Sequence, residues 1–330
     1  MDDLQSLIRI PRVWDSLTLV EERLLEAATA DDAYLTKIAQ HLLLAGGKRF
    51  RPLLALLAAE FGGARDHRPV EAGVSVELIH VGSLYHDDVI DEADVRRGAV
   101  SVNANWSNTV AILAGDFLMA RASEVAATHL SQESVRLLAA TYAELVEGQT
   151  RELQLDFNLG HGVPEYEQVI AGKTASLIRT SARLGAMAAK ADHDVVEALS
   201  DWAWEVGMVF QIADDALDLV ADEEAIGKPA GSDIREGKFT MPVLQALSGP
   251  DGDRVRSLLE SSHPYADDVV NDVIEIVRAG GHVDSSLAEA SRHLELASGA
   301  LNRVPDSDAR GILEGLGDYL LGRVETARAN

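Results

Sequence analysis

The chain has 330 residues, enough for a substantial buried core, and 29 basic against 54 acidic side chains leave a formal net charge of −25. That balance argues against nucleic acid or an anionic membrane surface as a partner, and it makes any basic cluster conspicuous. Cysteine is absent, which removes disulfides, thiolate metal sites and cysteine nucleophiles, and fits a reducing cytoplasm.

The N-terminal stretch MDDLQSLIRIPRVWDSL has neither the basic flank nor the apolar run of a secretory signal, so no export is expected. LLALLAA, residues 53 to 59, is the most apolar run and falls far short of the roughly 20 residues that span a bilayer. Stable membrane insertion is therefore not expected. Apolar residues recur at three- and four-residue spacing almost throughout, Ala and Leu dominate, and no period-two run stands out. The pattern predicts an all-α fold: one domain over 1–330, a large helical bundle around a central apolar cavity. Glycine breakers divide it into about a dozen helices. Three long ones are predicted near 69–93, 131–157 and 194–222.

In chain order the chemistry begins at GGKRFRP, residues 46 to 52. A diglycine turn there puts Lys48, Arg49 and Arg51 at a helix start, the makings of an anion site. Next comes HDDVID, in which Asp87 and Asp91 are four apart and stack on one helix face, with Asp88 turned about 100° away. Two stacked carboxylates repel, and a divalent cation relieves the penalty. Arg96 and Arg97 follow, suited to bidentate phosphate contacts. GKT, residues 172 to 174, adds Lys173 and Thr174 without a P-loop frame. The aspartate spacing then repeats in QIADDALDLV as Asp214, Asp215 and Asp218. The two motifs cannot share a helix, but two helices of one bundle would bring them face to face across a cavity. Hard oxygen donors and no thiolate select Mg²⁺, which bridges carboxylates to substrate phosphates. A glycine-rich loop carrying Lys228 and Lys238 completes the series.

These motifs, in this order, resemble the trans-isoprenyl diphosphate synthase (polyprenyl synthetase) family, whose hallmarks are GGKRxRP, DDxxD followed by RRG, KT, FQxxDDxxD and a GKxxGsDixegKxTxP loop. The motifs cover about residues 40 to 245, and the tail YLLGR is similar to the family's C-terminal end. Ala230 replaces the usual loop threonine, and Tyr85 stands where an aliphatic residue is commoner. The resemblance implies that Lys48, Arg51, His80 and Arg97 hold the diphosphate of isopentenyl diphosphate. It assigns Arg96, Lys173, Thr174, Gln211, Lys228 and Lys238 to the allylic diphosphate. It makes Asp87, Asp91 and Asp214 direct ligands of Mg²⁺, three ions per active site, with Asp88, Asp215 and Asp218 as weaker ligands or orienting groups. A cytoplasmic homodimer is implied as well.

The expected reaction is ionisation of an allylic diphosphate, attack by the alkene of isopentenyl diphosphate on the cation, and loss of a proton. Chain length is read from the helix of the first motif. Ser83 lies one turn before Asp87, beside Gly82, with Ile79 further down, and no bulky aromatic blocks that face. A long all-trans product of seven to ten isoprene units, a quinone side-chain precursor, is expected. The alternatives are a short-chain geranylgeranyl or farnesyl diphosphate synthase and a non-catalytic subunit of a heteromeric synthase. A metal-dependent terpene cyclase is opposed by the retained GGKRFRP.

Overall fold

The computed structural model of the protein describes residues 2–220 and 230–329. Every regular element among them is helical except for one short hairpin, β1 (Val95–Arg96) with β2 (Ala99–Val100). The helices used below are α1 (Pro11–Ala27), α2 (Phe50–Ala59), α3 (Arg68–Ile90), α4 (Asn108–His129), α5 (Gln132–Leu155), α6 (Val163–Ile170), α7 (Ser176–Ala188), α8 (His193–Val220) and α9 (His282–Leu301). The three long helices fall within a few residues of their expected limits. There are more helices than the breakers indicated, because single-turn pieces such as His41–Leu44 and Ser232–Arg235 form at the breaks themselves.

Two compact units divide the residues. The first comprises Met1–Ala143, Leu177–Asp201 and Ala300–Leu313; the second comprises Glu144–Ser176, Trp202–Gly299 and Glu314–Asn330.

In the first unit α3 is the central element, packed by α4, α2 and α1. Every residue of α3 from Pro69 to Ile79 is buried, as expected of a helix enclosed on all sides. Two of those residues are glutamates, and a buried carboxylate must be paired. Glu71 takes a 3.0 Å bond from Arg23 of α1, and Glu77 a 3.1 Å bond from Arg49. Gly82 of α3 and Gly115 of α4 allow the closest approach of those two helices. A Cβ on Gly115 would sit 2.3 Å from His86 Nε2, and one on Gly82 3.0 Å from Met119 Cε. Gly185 of α7 does the same against α2, where an added Cβ would lie 1.9 Å from the carbonyl oxygen of Ala55.

The second unit is built around the later part of α8, whose Trp202, Val206, Val209, Ile212 and Ala216 are all buried. A π turn at Ala171–Ala175 joins α6 to α7. It is seated by glycines: a Cβ on Gly148 of α5 would fall 2.6 Å from the Lys173 amide nitrogen, and one on Gly207 of α8 2.5 Å from Ala175 Cα.

Because the obstacle at Gly185 is backbone, which cannot rotate away, Gly185→Ala is expected to destabilise the protein by about 1–3 kcal/mol through overpacking. Chemical denaturation measures this; an unchanged midpoint would mean that α7 and α2 separate without cost.

Candidate diphosphate and metal sites

In the first unit, the basic motif and the first aspartate motif form one neighbourhood. Arg49 sits at the N-cap of α2 in a left-handed conformation, φ 48°. Sequence reasoning grouped it with the anion site, but its side chain turns inward and is only 2% exposed. It donates to Glu21 (2.6 and 3.0 Å), to Glu77 (3.1 Å) and to the carbonyl of Leu43 (2.8 Å). Arg49 is therefore a strut rather than a ligand. Arg97 also reaches Glu77, at 3.6 Å, and donates to the carbonyl of Gly46 at 2.7 Å. Gly47 is packed against both guanidiniums: a Cβ there would lie 3.0 Å from Arg97 Cζ and 3.2 Å from Arg49 Nη1.

Arg51 is less fully bonded among the described residues than Arg49. Its Nε is buried with no hydrogen-bond partner among the described residues. Burial, opposed by Glu77 and reinforced by Arg97, pushes its pKa down to about 10, so it stays charged at neutral pH. Burial also holds His80 well below the usual imidazole range, and Arg51, Arg97, Arg49 and Arg96 push it further in the same direction. His80 is thus a neutral hydrogen-bonding group at neutral pH. Lys48 is exposed beside this group.

The aspartate motif ends α3, with Asp91 as C-cap. Asp87 and Asp91 are half-buried, whereas Asp88 is fully buried and accepts a 2.7 Å bond from Arg96 Nε. Its second oxygen is buried with no partner among the described residues, and burial raises its pKa despite Arg96. The RRG segment is the hairpin turn, Arg97 and Gly98 both taking positive φ (55° and 74°) as a type I′ turn requires. Asn103, which carried no sequence signal, braces the loop by donating to the carbonyls of Asp88 and Ala93, each at 3.0 Å. Tyr85 points away from the face of Ser83. Its hydroxyl donates to Ile38 O at 2.7 Å and accepts from Leu42 N at 3.3 Å, anchoring the segment that leads into GGKRFRP.

Of the chain-length candidates, Ile79 is buried, Gly82 is the packing glycine against α4, and the hydroxyl of half-buried Ser83 donates to His80 O at 2.8 Å.

The second unit holds the other motif. Asp214 is exposed and lies 3.8 Å from Arg323, the arginine of the YLLGR tail. Asp215 is 4% exposed and receives two bonds, from Tyr166 Oη (2.5 Å) and Gln211 Nε2 (2.8 Å). Gln211 in turn accepts from Thr174 Oγ1 at 2.7 Å, so Thr174, Gln211, Asp215 and Tyr166 form one chain of bonds. Tyr166 was not among the sequence candidates, since nothing about an isolated tyrosine marks it. Burial is the main cause raising Asp215 well above the carboxylate range, with Asp233 and Asp214 adding repulsion and the two donors opposing. Asp218 accepts from the amide of Asp233 at 3.2 Å, folding the GSDIREGK loop back onto the end of α8. Lys173 bonds Glu152 at 2.5 Å, and Lys238 bonds Glu236 at 2.8 Å. Lys228 lies outside the described residues.

The donor set fits a hard divalent cation: at each motif only carboxylate oxygens are offered, with an unpartnered buried oxygen on Asp88.

Residues 32–277 match the polyprenyl synthetase family model. The chain is 44% identical over 287 residues to a nonaprenyl diphosphate synthase of Mycobacterium tuberculosis, covering 86% of this chain and 85% of the relative. It is 40% identical to heptaprenyl diphosphate synthase component 2 of Geobacillus stearothermophilus, covering 93% and 95%. Among solved structures, a geranylgeranyl pyrophosphate synthase of Corynebacterium glutamicum complexed with calcium and isoprenyl diphosphate superposes with TM-score 0.84 at 40% identity, covering 95% of this chain and 96% of the other. The protein belongs to the polyprenyl synthetase family, a family of prenyl-transferring enzymes. No helix among the described residues is long and apolar enough to cross a membrane.

Tyr166→Phe removes one of the two donors to Asp215. The raised pKa means the folded state holds that proton more tightly than the unfolded state, so stability falls as pH rises from the unfolded carboxylate value toward the folded one. Losing a donor matters most once the carboxylate is ionised. The variant's stability penalty, about 1–3 kcal/mol once Asp215 is ionised, should therefore be larger at an alkaline than at an acidic pH. Denaturation at both pH values checks this; a penalty independent of pH would rule out an ionising Asp215.

Proposed function

We propose that the protein condenses an allylic diphosphate with successive isopentenyl diphosphate units to make a long-chain all-trans polyprenyl diphosphate. The carrying observation is Arg51, buried near Arg97 with its Nε unpartnered among the described residues, in the same unit as the Asp87/Asp91 carboxylates. A cation whose Nε is buried without a partner is matched by an anion with several oxygens, and a diphosphate is one.

On this reading Lys48, Arg51, Arg97 and neutral His80 bind isopentenyl diphosphate. Arg96 keeps Asp88 on its Nε and turns its Nη edge to the allylic diphosphate, which Lys173, Thr174, Gln211, Lys228 and Lys238 also serve. Asp87, Asp91 and Asp214 are the direct metal ligands. Asp88, Asp215 and Asp218 hold the geometry, two of them through the Arg96 and Tyr166/Gln211 bonds described above. Bound Mg²⁺, three ions in this proposal, supplies positive charge where negative charge develops on the leaving diphosphate. The allylic C–O bond breaks with both electrons going to diphosphate. The terminal alkene carbon of isopentenyl diphosphate then forms the new C–C bond, leaving a tertiary cation; a proton lost from the adjacent CH2 to the departed diphosphate leaves its electron pair as the new double bond, so no side-chain base is needed.

The relatives named for nonaprenyl and heptaprenyl products support the long-chain reading, as does the absence of a bulky side chain at Ser83. A homodimer is proposed with it. The relative named as a component of a heptaprenyl synthase favours a second reading, in which a partner subunit is required.

The test is the purified protein alone with farnesyl diphosphate, isopentenyl diphosphate and Mg²⁺, with products measured by mass. Products of 35 to 50 carbons (roughly seven to ten units) are expected; termination at 15 or 20 carbons would overturn the long-chain assignment, and no turnover until a partner is added would favour the second reading. Asp87→Ala and Asp214→Ala should each lower turnover by about three orders of magnitude or more with helicity unchanged, since charge stabilisation by metal contributes several kcal/mol. Ser83→Phe should shorten the product without abolishing ionisation; an unchanged product length would place the tail along another wall.

A further inference from the structure

A group of metal-type donors lies in the second unit apart from the aspartate motifs. Glu167 of α6 and Glu289 and His293 of α9 each bring one ligand atom within 4.8 Å of the others. Glu289 and His293 are four apart on one helix and so share a face. His293 is 7% exposed, and its Nδ1 lies 2.6 Å from Oε2 of Glu205 on α8. Its Nε2 is buried with no hydrogen-bond partner among the described residues, Oε1 of Glu289 standing 3.8 Å away.

A carboxylate on Nδ1 keeps the proton of a neutral imidazole there and makes Nε2 a lone pair. That lone pair faces carboxylate oxygens, a repulsive arrangement that a cation between them reverses. The local charge points the same way. Arg292 bonds Glu289 Oε1 at 2.7 Å and interacts with Glu167 and Glu205, so one guanidinium faces three carboxylates. Two negative charges are left over, the charge a divalent ion brings.

We infer that Glu167, Glu289 and Nε2 of His293 bind one divalent transition-metal ion of the zinc type, with Glu205 orienting the imidazole from behind. An imidazole nitrogen with two carboxylates selects zinc or its first-row neighbours over Mg²⁺, which prefers oxygen alone. Bonds of about 2.1 Å at tetrahedral angles place donors about 3.4 Å apart, so modest side-chain rotation closes the group. The fourth position is open to water. The ion ties α6 to α9 and, through Glu205, to α8. Its neighbour Tyr166 is the donor to Asp215, so the clamp secures the turn that holds that carboxylate. It is a structural site, and its ion takes no part in the proposed chemistry.

The test is equilibrium dialysis of metal-stripped full-length protein against micromolar Zn²⁺ in millimolar Mg²⁺, with bound zinc measured by atomic emission and thermal stability followed in parallel. About one Zn²⁺ per chain is expected in the parent and in Asp87→Ala, with a rise of several degrees in Tm on zinc addition. His293→Gln should retain none and show no rise. Glu205→Gln, which leaves all three ligands in place, should weaken zinc binding by about 10–100-fold, a readout that a purely packing role for Glu205 would not move. If His293→Gln does not fold, Glu289→Gln and Glu205→Gln carry the test. No zinc retained by the parent, or equal zinc in the parent and in every variant of the site, would overturn the assignment.

Discussion

Glu77 is a carboxylate buried inside a helix enclosed on all sides, and it persists there because Arg49 and Arg97 approach it at 3.1 and 3.6 Å. Removing one charge from water costs several kcal/mol, so the partners cannot leave without exposing that cost. The pairing therefore fixes two segments far apart in sequence: the diglycine turn, through Arg49, and the hairpin after the first aspartate motif, through Arg97. Both arginines also hold backbone carbonyls of residues 42 to 46. At this junction the charged Arg51 keeps a buried Nε with no hydrogen-bond partner among the described residues. The proposed anion site thus adjoins an ionic frame in which Arg49 and Arg97 are paired with Glu77 and bonded to backbone carbonyls.

The same division of labour recurs in both aspartate motifs. In each, one carboxylate is exposed or half-exposed and another is buried and hydrogen-bonded, Asp88 by Arg96 and Asp215 by Tyr166 and Gln211. Burial raises both buried members, and their donors work against that rise. A DDxxD motif on a helix thus presents Asp87 and Asp91, or Asp214, outward while the second aspartate is clamped inward. The geometry follows from helical phase, because adjacent residues are turned about 100° apart. Glycines set the remaining distances: Gly47 admits two guanidiniums, and Gly148 and Gly207 admit the π turn that carries Lys173 and Thr174. A π turn of this kind is a frequent mark of a functional position in a helix.

Some of this was legible in the primary structure. The all-α class and the limits of the three long helices follow from apolar spacing and glycine punctuation, which are local properties of the chain. The metal-type carboxylates and the order of basic motifs are visible because the relevant residues are close in sequence and share a helix face. Arg49 was misread for the complementary reason: a basic residue in a basic motif carries no label saying that Glu21 and Glu77 lie behind it. Asn103 and Tyr166 were silent because their partners, Asp88 and Asp215, lie 15 and 49 residues away along the chain. Gly82 was noted as the neighbour of Ser83 on the expected product route, and its close approach to Gly115 and Met119 carries no signal in the sequence.

The linear order of residues alone determined which groups are available and on which face of which helix each one stands, since both are set by residue type and helical period. Only the tertiary structure decided which charges are consumed by internal pairs and which are left to meet a ligand. Pairing energy depends on distance and desolvation, and both are settled when separate segments pack: Glu77 between two arginines, Asp215 under Tyr166, and His293 with one nitrogen satisfied and the other bare.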